Sequence, residues 1–286
     1  MLTLFLEFEF VRRTFLVGLM LAVAIPLIGV VMVNRRTSMM SDALSHTSLA
    51  GVAIGLIAGF NPVIGAMIAA VIGAFMIELI RRKWPQYGDL ATAVTLSAGL
   101  GLAVILSDLA PSGRSFESYL FGSITAVTSL DVVLTTIVFV LVVAASVVFY
   151  GGYLDVSVDP TLARLSGTNV GLINSIFTVL SAVTVALASK VVGALLVVSL
   201  MVLPVATALI LCRSYLQAMA VSVLLGVIHM TVGLTVSYTI DVRPGGSIVM
   251  SAVAGILLAI IWRRLRPVQR SLDTRIGTVP AASAAS

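Results

Sequence analysis

Asp42 and His46 stand four residues apart in Ser41-Asp42-Ala43-Leu44-Ser45-His46-Thr47-Ser48-Leu49-Ala50-Gly51, at the mouth of an apolar segment. On a helix, residues i and i+4 share one face, with Cβ atoms about 5–6 Å apart. A carboxylate and an imidazole on one face are a partial ligand set for a divalent metal. A plainer reading makes Asp42 a helix cap and His46 a hydrogen-bonded interior histidine. Two ligands are fewer than the about four usual for structural zinc. A half-built site suits a transient stop, which an ion must leave again. The other histidine, His229, lies in an apolar run, Leu225-Gly226-Val227-Ile228-His229-Met230. It is a possible further ligand, although a lone histidine on an apolar helix more commonly is a satisfied core group.

The remaining polar groups have simpler readings. Glu78 stands one turn before Arg81-Arg82-Lys83 and is expected to pair there. Asp108, Glu117 and Asp131 bracket a long loop and are expected to be solvated. Lys190 falls between two apolar runs and is expected to snorkel outward. Methionines 39, 40, 201, 219 and 230 show no ligand spacing and read as packing. Cys212 is the single cysteine, which excludes an internal disulfide framework and a cysteine-rich metal cage; it reads as a buried small apolar residue.

The elements that hold these residues follow from composition. Of 286 residues, 59% are hydrophobic and 10% are charged, with a mean hydropathy of +1.16. A soluble domain carries about 25% charged residues. The chain therefore reads as an all-α polytopic membrane protein. Barrel strands would alternate in short segments, whereas these runs are long and continuously apolar. Nine runs are long enough to be spans: about 14–33, 41–59, 62–80, 91–109, 130–149, 171–188, 191–211, 217–239 and 246–262. The N-terminus does not read as a cleaved signal, because Glu7 and Glu9 precede Arg12-Arg13 and no small-residue cleavage site follows.

The net charge of +5 does not point to nucleic acid. Basic residues cluster beside apolar runs, at Arg35-Arg36, Arg81-Arg82-Lys83, Arg213 and Arg263-Arg264-Leu265-Arg266. These follow runs one, three, seven and nine, so all fall on one side, the cytoplasm by the positive-inside rule. That places Asp42 and His46 near a cytoplasmic flank. Arg12-Arg13 would lie outside, unless residues 1–12 form an interfacial amphipathic segment. Residues 110–129 form a polar-aromatic segment, outside or re-entrant. Residues 153–168 read as a short cytoplasmic amphipathic helix, with Asp159 as cap, Pro160 at its first position and Gly167 at its end. One domain is expected over 1–266, with a disordered tail at 267–286.

There is no G-x-x-x-x-G-K-[ST], no H-E-x-x-H and no nucleophile elbow. Whatever energy drives this protein comes from another subunit or from an ion gradient.

Four stretches, in order, resemble the permease subunits of bacterial ABC importers for zinc and manganese. They are Asn34-Arg35-Arg36-Thr37-Ser38-Met39-Met40 running into the Asp42–His46 segment, then Tyr119-Leu120-Phe121-Gly122-Ser123. The other two are Val158-Asp159-Pro160 through Gly167, and Val192-Gly193-Ala194 through Leu203-Pro204-Val205-Ala206-Thr207-Ala208. The resemblance implies a non-enzymatic permease in the bacterial cytoplasmic membrane, with eight or nine helices and a fold like that of vitamin B12-type importers. It implies a homodimer, a cytoplasmic ATPase subunit and an extracytoplasmic metal-binding protein. Zn²⁺ or Mn²⁺ would be the transported substrate, with no permanently bound cofactor.

By the same resemblance Asp42 and His46 contact the metal, while no histidine is called for at 229. Asp159, Pro160, Thr161, Ala163, Arg164 and Gly167 would couple to the ATPase. Gly193, Pro204 and Thr207 would pack along the pathway. Ser41 and Ala50 make the segment more similar to zinc-type members; manganese types tend to carry Gly before the Asp and Leu-Pro-Gly after the His. The alternatives are the same machinery importing Mn²⁺ or Fe²⁺ and, from another class, a gradient-driven secondary metal transporter.

Overall fold

In a bilayer every backbone N–H and C=O must find a partner within the protein, so long apolar runs fold as helices. The computed structural model describes residues 9–109, 113–123 and 127–265, and every regular element among them is helical. In chain order these are α1 (Glu9–Asn34), α2 (Met39–Ala58), α3 (Pro62–Lys83), α4 (Gly88–Leu109), α5 (Gly113–Phe121) and α6 (Ser129–Val148). They continue with α7 (Tyr150–Val158), α8 (Pro160–Leu165), α9 (Val170–Ala188), α10 (Val197–Leu211), α11 (Tyr215–Ile240) and α12 (Pro244–Leu265). Seven are long and apolar enough to cross a membrane: α1, α3, α4, α6, α9, α11 and α12. The polar-striped α2 and the shorter α10 account for the other two apolar runs. The expected tail at 267–286 lies outside the described residues, as do residues 1–8; residues 9–12 already belong to α1.

Local chemistry sets several boundaries. Gly59, at φ 74°, ends α2, and Asn61 Oδ1 accepts from Val63 N at 2.9 Å with Pro62 opening α3. A tight α2–α3 hairpin results. Thr128 and Asp131 cap α6 reciprocally. The run at 191–211 is not one helix. Ser189–Gly193 is a π-helical extension of α9, and α10 begins only at Val197.

The segment at 153–168 also differs from expectation. Residues up to Val158 belong to α7, and only Pro160–Leu165 form the short helix behind Asp159. The chain breaks there because Asp159 is extended and Pro160 lacks an N–H. Asp159 Oδ1 accepts from Thr161 N at 2.7 Å and Leu162 N at 3.1 Å, and Gly167 takes φ 88° just beyond the helix.

α2 is the central element. It packs against α3 and α4, which meet it through stripes of small residues: Gly65, Ala66, Ala70, Gly73 and Ala74 on α3, and Ala91, Thr95, Gly99 and Ala103 on α4. Small residues let helix backbones approach closely where lipid removes any hydrophobic drive between helices. α1 packs against α6, α10 and α11.

Candidate functional site

Asp42 lies in the first turn of α2 and His46 one turn later. Asp42 Oδ1 stands 3.6 Å from His46 Nε2. Their side chains are 30% and 12% exposed, whereas Ser41, Ala43, Leu44 and Ser45 around them are buried. The pair is thus partly open on a stretch of helix, 40–53, that is otherwise buried apart from Thr47. Two ligands of a tetrahedral zinc, at bonds of about 2.0–2.1 Å, lie about 3.3 Å apart. One ion can therefore touch both atoms with little movement. His46 Nδ1 is buried and makes no hydrogen bond within the described residues. Among those residues no third His, Cys, Asp or Glu gathers with the pair.

The depth of the pair differs from the sequence expectation. A Cβ on Gly73 would meet Thr47 Oγ1 at 2.8 Å, and one on Gly99 would meet Thr47 N at 2.8 Å and His46 C at 3.1 Å. Gly73 and Gly99 stand at the middles of α3 and α4, about 15 Å from either end at about 1.5 Å per residue. His46 is therefore level with mid-depth and Asp42 about one turn nearer the inner end, instead of at the flank. The glycines are what admit Thr47 at that level.

Basic residues gather at one end of the bundle, the inner end by the positive-inside rule. Arg35, Arg36, Arg81, Arg82 and Arg164 line one cavity of about 990 Å³, and Arg213 lines a neighbouring groove with Asn34 and Val158. Glu78 pairs with Arg82 at 2.9 Å. Arg35 is more than a flank charge. Its Nη1 donates to Asn174 Oδ1 at 2.8 Å, and its guanidinium lies 4.9 Å from the Phe177 ring centroid. Phe177 in turn meets Tyr153 of α7 edge-on at 5.9 Å. Burial lowers the Arg35 pKa, but a guanidinium remains charged at any physiological pH. Arg35 thereby ties the turn leading into α2 to α9 and, through α9, to α7.

The outer end holds the largest surprise. Asp131 and Lys190 are buried and paired, with Lys190 Nζ 2.5 Å from Asp131 Oδ2. Neither is solvated or snorkels, because α6 and the π-helical turn pack their charges against each other. The same oxygen accepts from Thr128 N at 2.6 Å and Thr128 Oγ1 at 2.7 Å. Tyr119 of α5 lies beside Lys190, with its ring centroid 6.0 Å from Nζ. Burial first, and then Asp131, push the Tyr119 hydroxyl up to about 12, so it stays a neutral phenol.

Residues 113–123 are folded into the bundle. Ala194 N donates to Tyr119 O at 2.8 Å, and Ser123 N donates to Lys190 O at 3.2 Å. Glu117 and Asp108 are exposed as expected, Glu117 standing 3.4 Å from Arg243. Two isolated opposite charges at the outer ends of apolar runs were the available signal for the Asp131–Lys190 pair.

A sequence model described as the ABC 3 transport family matches residues 7–263. The chain belongs to the ABC 3 transport family. It is similar to a probable metal transport system membrane protein of Treponema pallidum, at 33% identity over 89% of this chain and 96% of that one. It is similar to the manganese import system permease protein ScaB of Streptococcus gordonii, at 30% identity over 94% and 96%. It is also similar to the high-affinity zinc uptake system membrane protein ZnuB of Haemophilus influenzae, at 28% over 90% and 98%. Among solved structures, PsaBC from Streptococcus pneumoniae in complex with Fab superposes with a TM-score of 0.81, at 28% identity over 90% of this chain and 92% of that one.

The remaining residues of this ABC 3 family member divide by place. Gly193 takes φ 98°, and a Cβ there would lie 2.5 Å from Phe121 C, so it lets the π-helical turn pack on the end of α5. Pro204 is buried inside α10, and Thr207 Oγ1 donates to Leu203 O at 2.8 Å in the next turn. His229 is buried at the contact of α11 with α12. Its Nδ1 lies 3.0 Å from Ser251 Oγ, and its ring covers Gly255. Cys212 is only half-buried, at the end of α10, instead of fully covered.

Proposed function

We propose that this chain is the membrane-spanning subunit of an ATP-driven importer for a divalent metal, with Asp42 and His46 as the residues that meet the ion. One observation carries the reading: Asp42 Oδ1 and His46 Nε2 converge at 3.6 Å near mid-depth, with no further ligand gathered from the described residues. A homodimer would bring two such pairs together and complete an Asp₂His₂ set. Four ligands of this kind suit Zn²⁺. The carboxylates offset the cost of taking a dication out of water. The chain has no P-loop, so ATP hydrolysis belongs to a separate cytoplasmic subunit meeting α7 and α8. An extracytoplasmic binding protein would deliver the ion at the outer end. Residues 1–266 act as one permease domain.

Mn²⁺ is the second reading, favoured by the likeness to a manganese import permease. Asp and His ligands accept either ion, and zinc binds such sites more tightly in the usual order. Uptake by the complex reconstituted with its ATPase, with zinc and manganese competing, separates the two. Asp42→Ala and His46→Ala should each abolish uptake at unchanged membrane levels. Wild-type uptake by either variant sinks the site assignment. Uptake that proceeds without ATP returns the chain to the secondary-transporter class.

A further inference from the structure

Asp42 and His46 lie between two points at which their helix is fixed. Just beyond them, Thr47 packs so closely on Gly73 of α3 and Gly99 of α4 that neither glycine has room for a side chain. Before them, Arg35 is fastened to α9. Its Nη1 donates to Asn174 Oδ1 at 2.8 Å, and its guanidinium lies 4.9 Å from the Phe177 ring centroid on the same helix. A hydrogen bond and a ring contact to one helix fix the place of the planar group and its orientation together. The Phe177 ring also meets Tyr153 of α7 edge-on at 5.9 Å, so three segments share the contact.

The turn between Arg35 and Asp42 is stiff. Thr37 N donates to Met32 O at 2.9 Å, Met40 N to Thr37 O at 2.9 Å, and Ser41 Oγ to Ser38 O at 2.7 Å. Arg36 holds a left-handed backbone within it, at φ 56°. A shift of Arg35 is therefore carried on to Asp42 instead of being absorbed by the turn.

Stability does not account for the guanidinium. Its Nε and Nη2 are buried and have no hydrogen-bond partner among the described residues. A buried charge with one hydrogen bond is costly. An unbranched apolar side chain such as Met would fill the space without that cost. A Met cannot hold Asn174 while packing on Phe177.

We infer that Arg35 is a positioning residue for the Asp42–His46 pair: by holding the start of α2 to α9, it ties the place of the pair to that of α9 and α7. The inference rests on the transport reading above, and adds the residue through which the metal-meeting pair is held. Arg35 touches no ion itself and acts through the turn.

The test uses the permease reconstituted with its ATPase, with uptake of Zn²⁺ and, in parallel, Mn²⁺ read on the same vesicles as ATP hydrolysis. Arg35→Met should lower the ions moved per ATP about tenfold or more, the order expected when a group that orients metal-binding residues is lost. Hydrolysis should stay near wild type. Asn174→Ala should give the same direction at smaller size, and it serves if Arg35→Met lowers membrane levels. Asn174→Asp keeps an acceptor for Nη1 and should keep the wild-type ratio. Arg81→Gln removes a positive charge from the same cavity wall and should also keep it. A wild-type ratio in Arg35→Met overturns the inference. Parallel loss of hydrolysis and uptake at an unchanged ratio also overturns it, in favour of a purely structural residue. Equal loss in Arg81→Gln does so in favour of general charge. A wild-type complex without ATP-driven uptake removes the transport reading itself.

Discussion

Lys190 Nζ sits 2.5 Å from Asp131 Oδ2, in side chains 10% and 5% exposed, across 59 residues of sequence. The contact joins the first turn of α6 to the π-helical end of α9. With Tyr119 alongside and the α5 backbone bonded to the same turn, it ties α5, α6 and α9 together at this end of the bundle. Breaking a buried pair by removing one partner leaves a charge without compensation, and that costs about 3–5 kcal/mol. Asp131→Asn and Lys190→Met should each destabilise by that order. The double variant should be less destabilised than the sum of the singles, by about 1 kcal/mol or more. Thermal unfolding in detergent, arranged as a double-mutant cycle, reads the coupling; additive losses would mean the pair is not coupled.

Gly193 and Gly101 offer a comparison of like substitutions. Gly193 has a left-handed backbone and Phe121 against it, while a Cβ on Gly101 meets nothing within 4 Å. Gly193→Ala should cost about 1–3 kcal/mol from backbone strain alone, with the clash in addition. Gly101→Ala should be neutral or slightly stabilising. Melting temperatures of the two variants decide; equal stability would show that the outer turn tolerates a side chain.

The short helix α8 depends on its cap. Asp159→Ala removes the acceptor for Thr161 N and Leu162 N. Loss of an N-cap costs about 0.5–2 kcal/mol, so the helix should fray. Asp159→Asn keeps an acceptor and should behave like wild type. Hydrogen exchange at the Thr161 and Leu162 amides is the measurement, and unchanged protection in Asp159→Ala would refute the cap.

His229 should be dispensable for transport. Its ring packs on Gly255 and bonds Ser251, in the α11–α12 contact. His229→Gln should retain metal uptake, while His46→Gln removes it. Equal loss of uptake from both, at wild-type membrane levels, would bring His229 into the metal route.

The sequence alone determined what depends on neighbours in the chain. Apolar runs became helices because lipid offers the backbone no other partner. Asn61-Pro62 and Asp159-Pro160 started helices because a side-chain acceptor and a missing N–H act within one turn. Asp42 and His46 share a face because i and i+4 do so on any helix. Contacts between helices were decided only by the tertiary structure. A helix apolar on every side carries no stripe that says which face turns inward.

Nothing local pairs Asp131 with Lys190, or Arg35 with Asn174 across 139 residues. Nothing local sets His46 level with Gly73 and Gly99. The Asp42–His46 segment was legible as half a metal site. Its depth follows from the two midpoint glycines that admit Thr47, and the missing half is the part that packing within one chain does not supply.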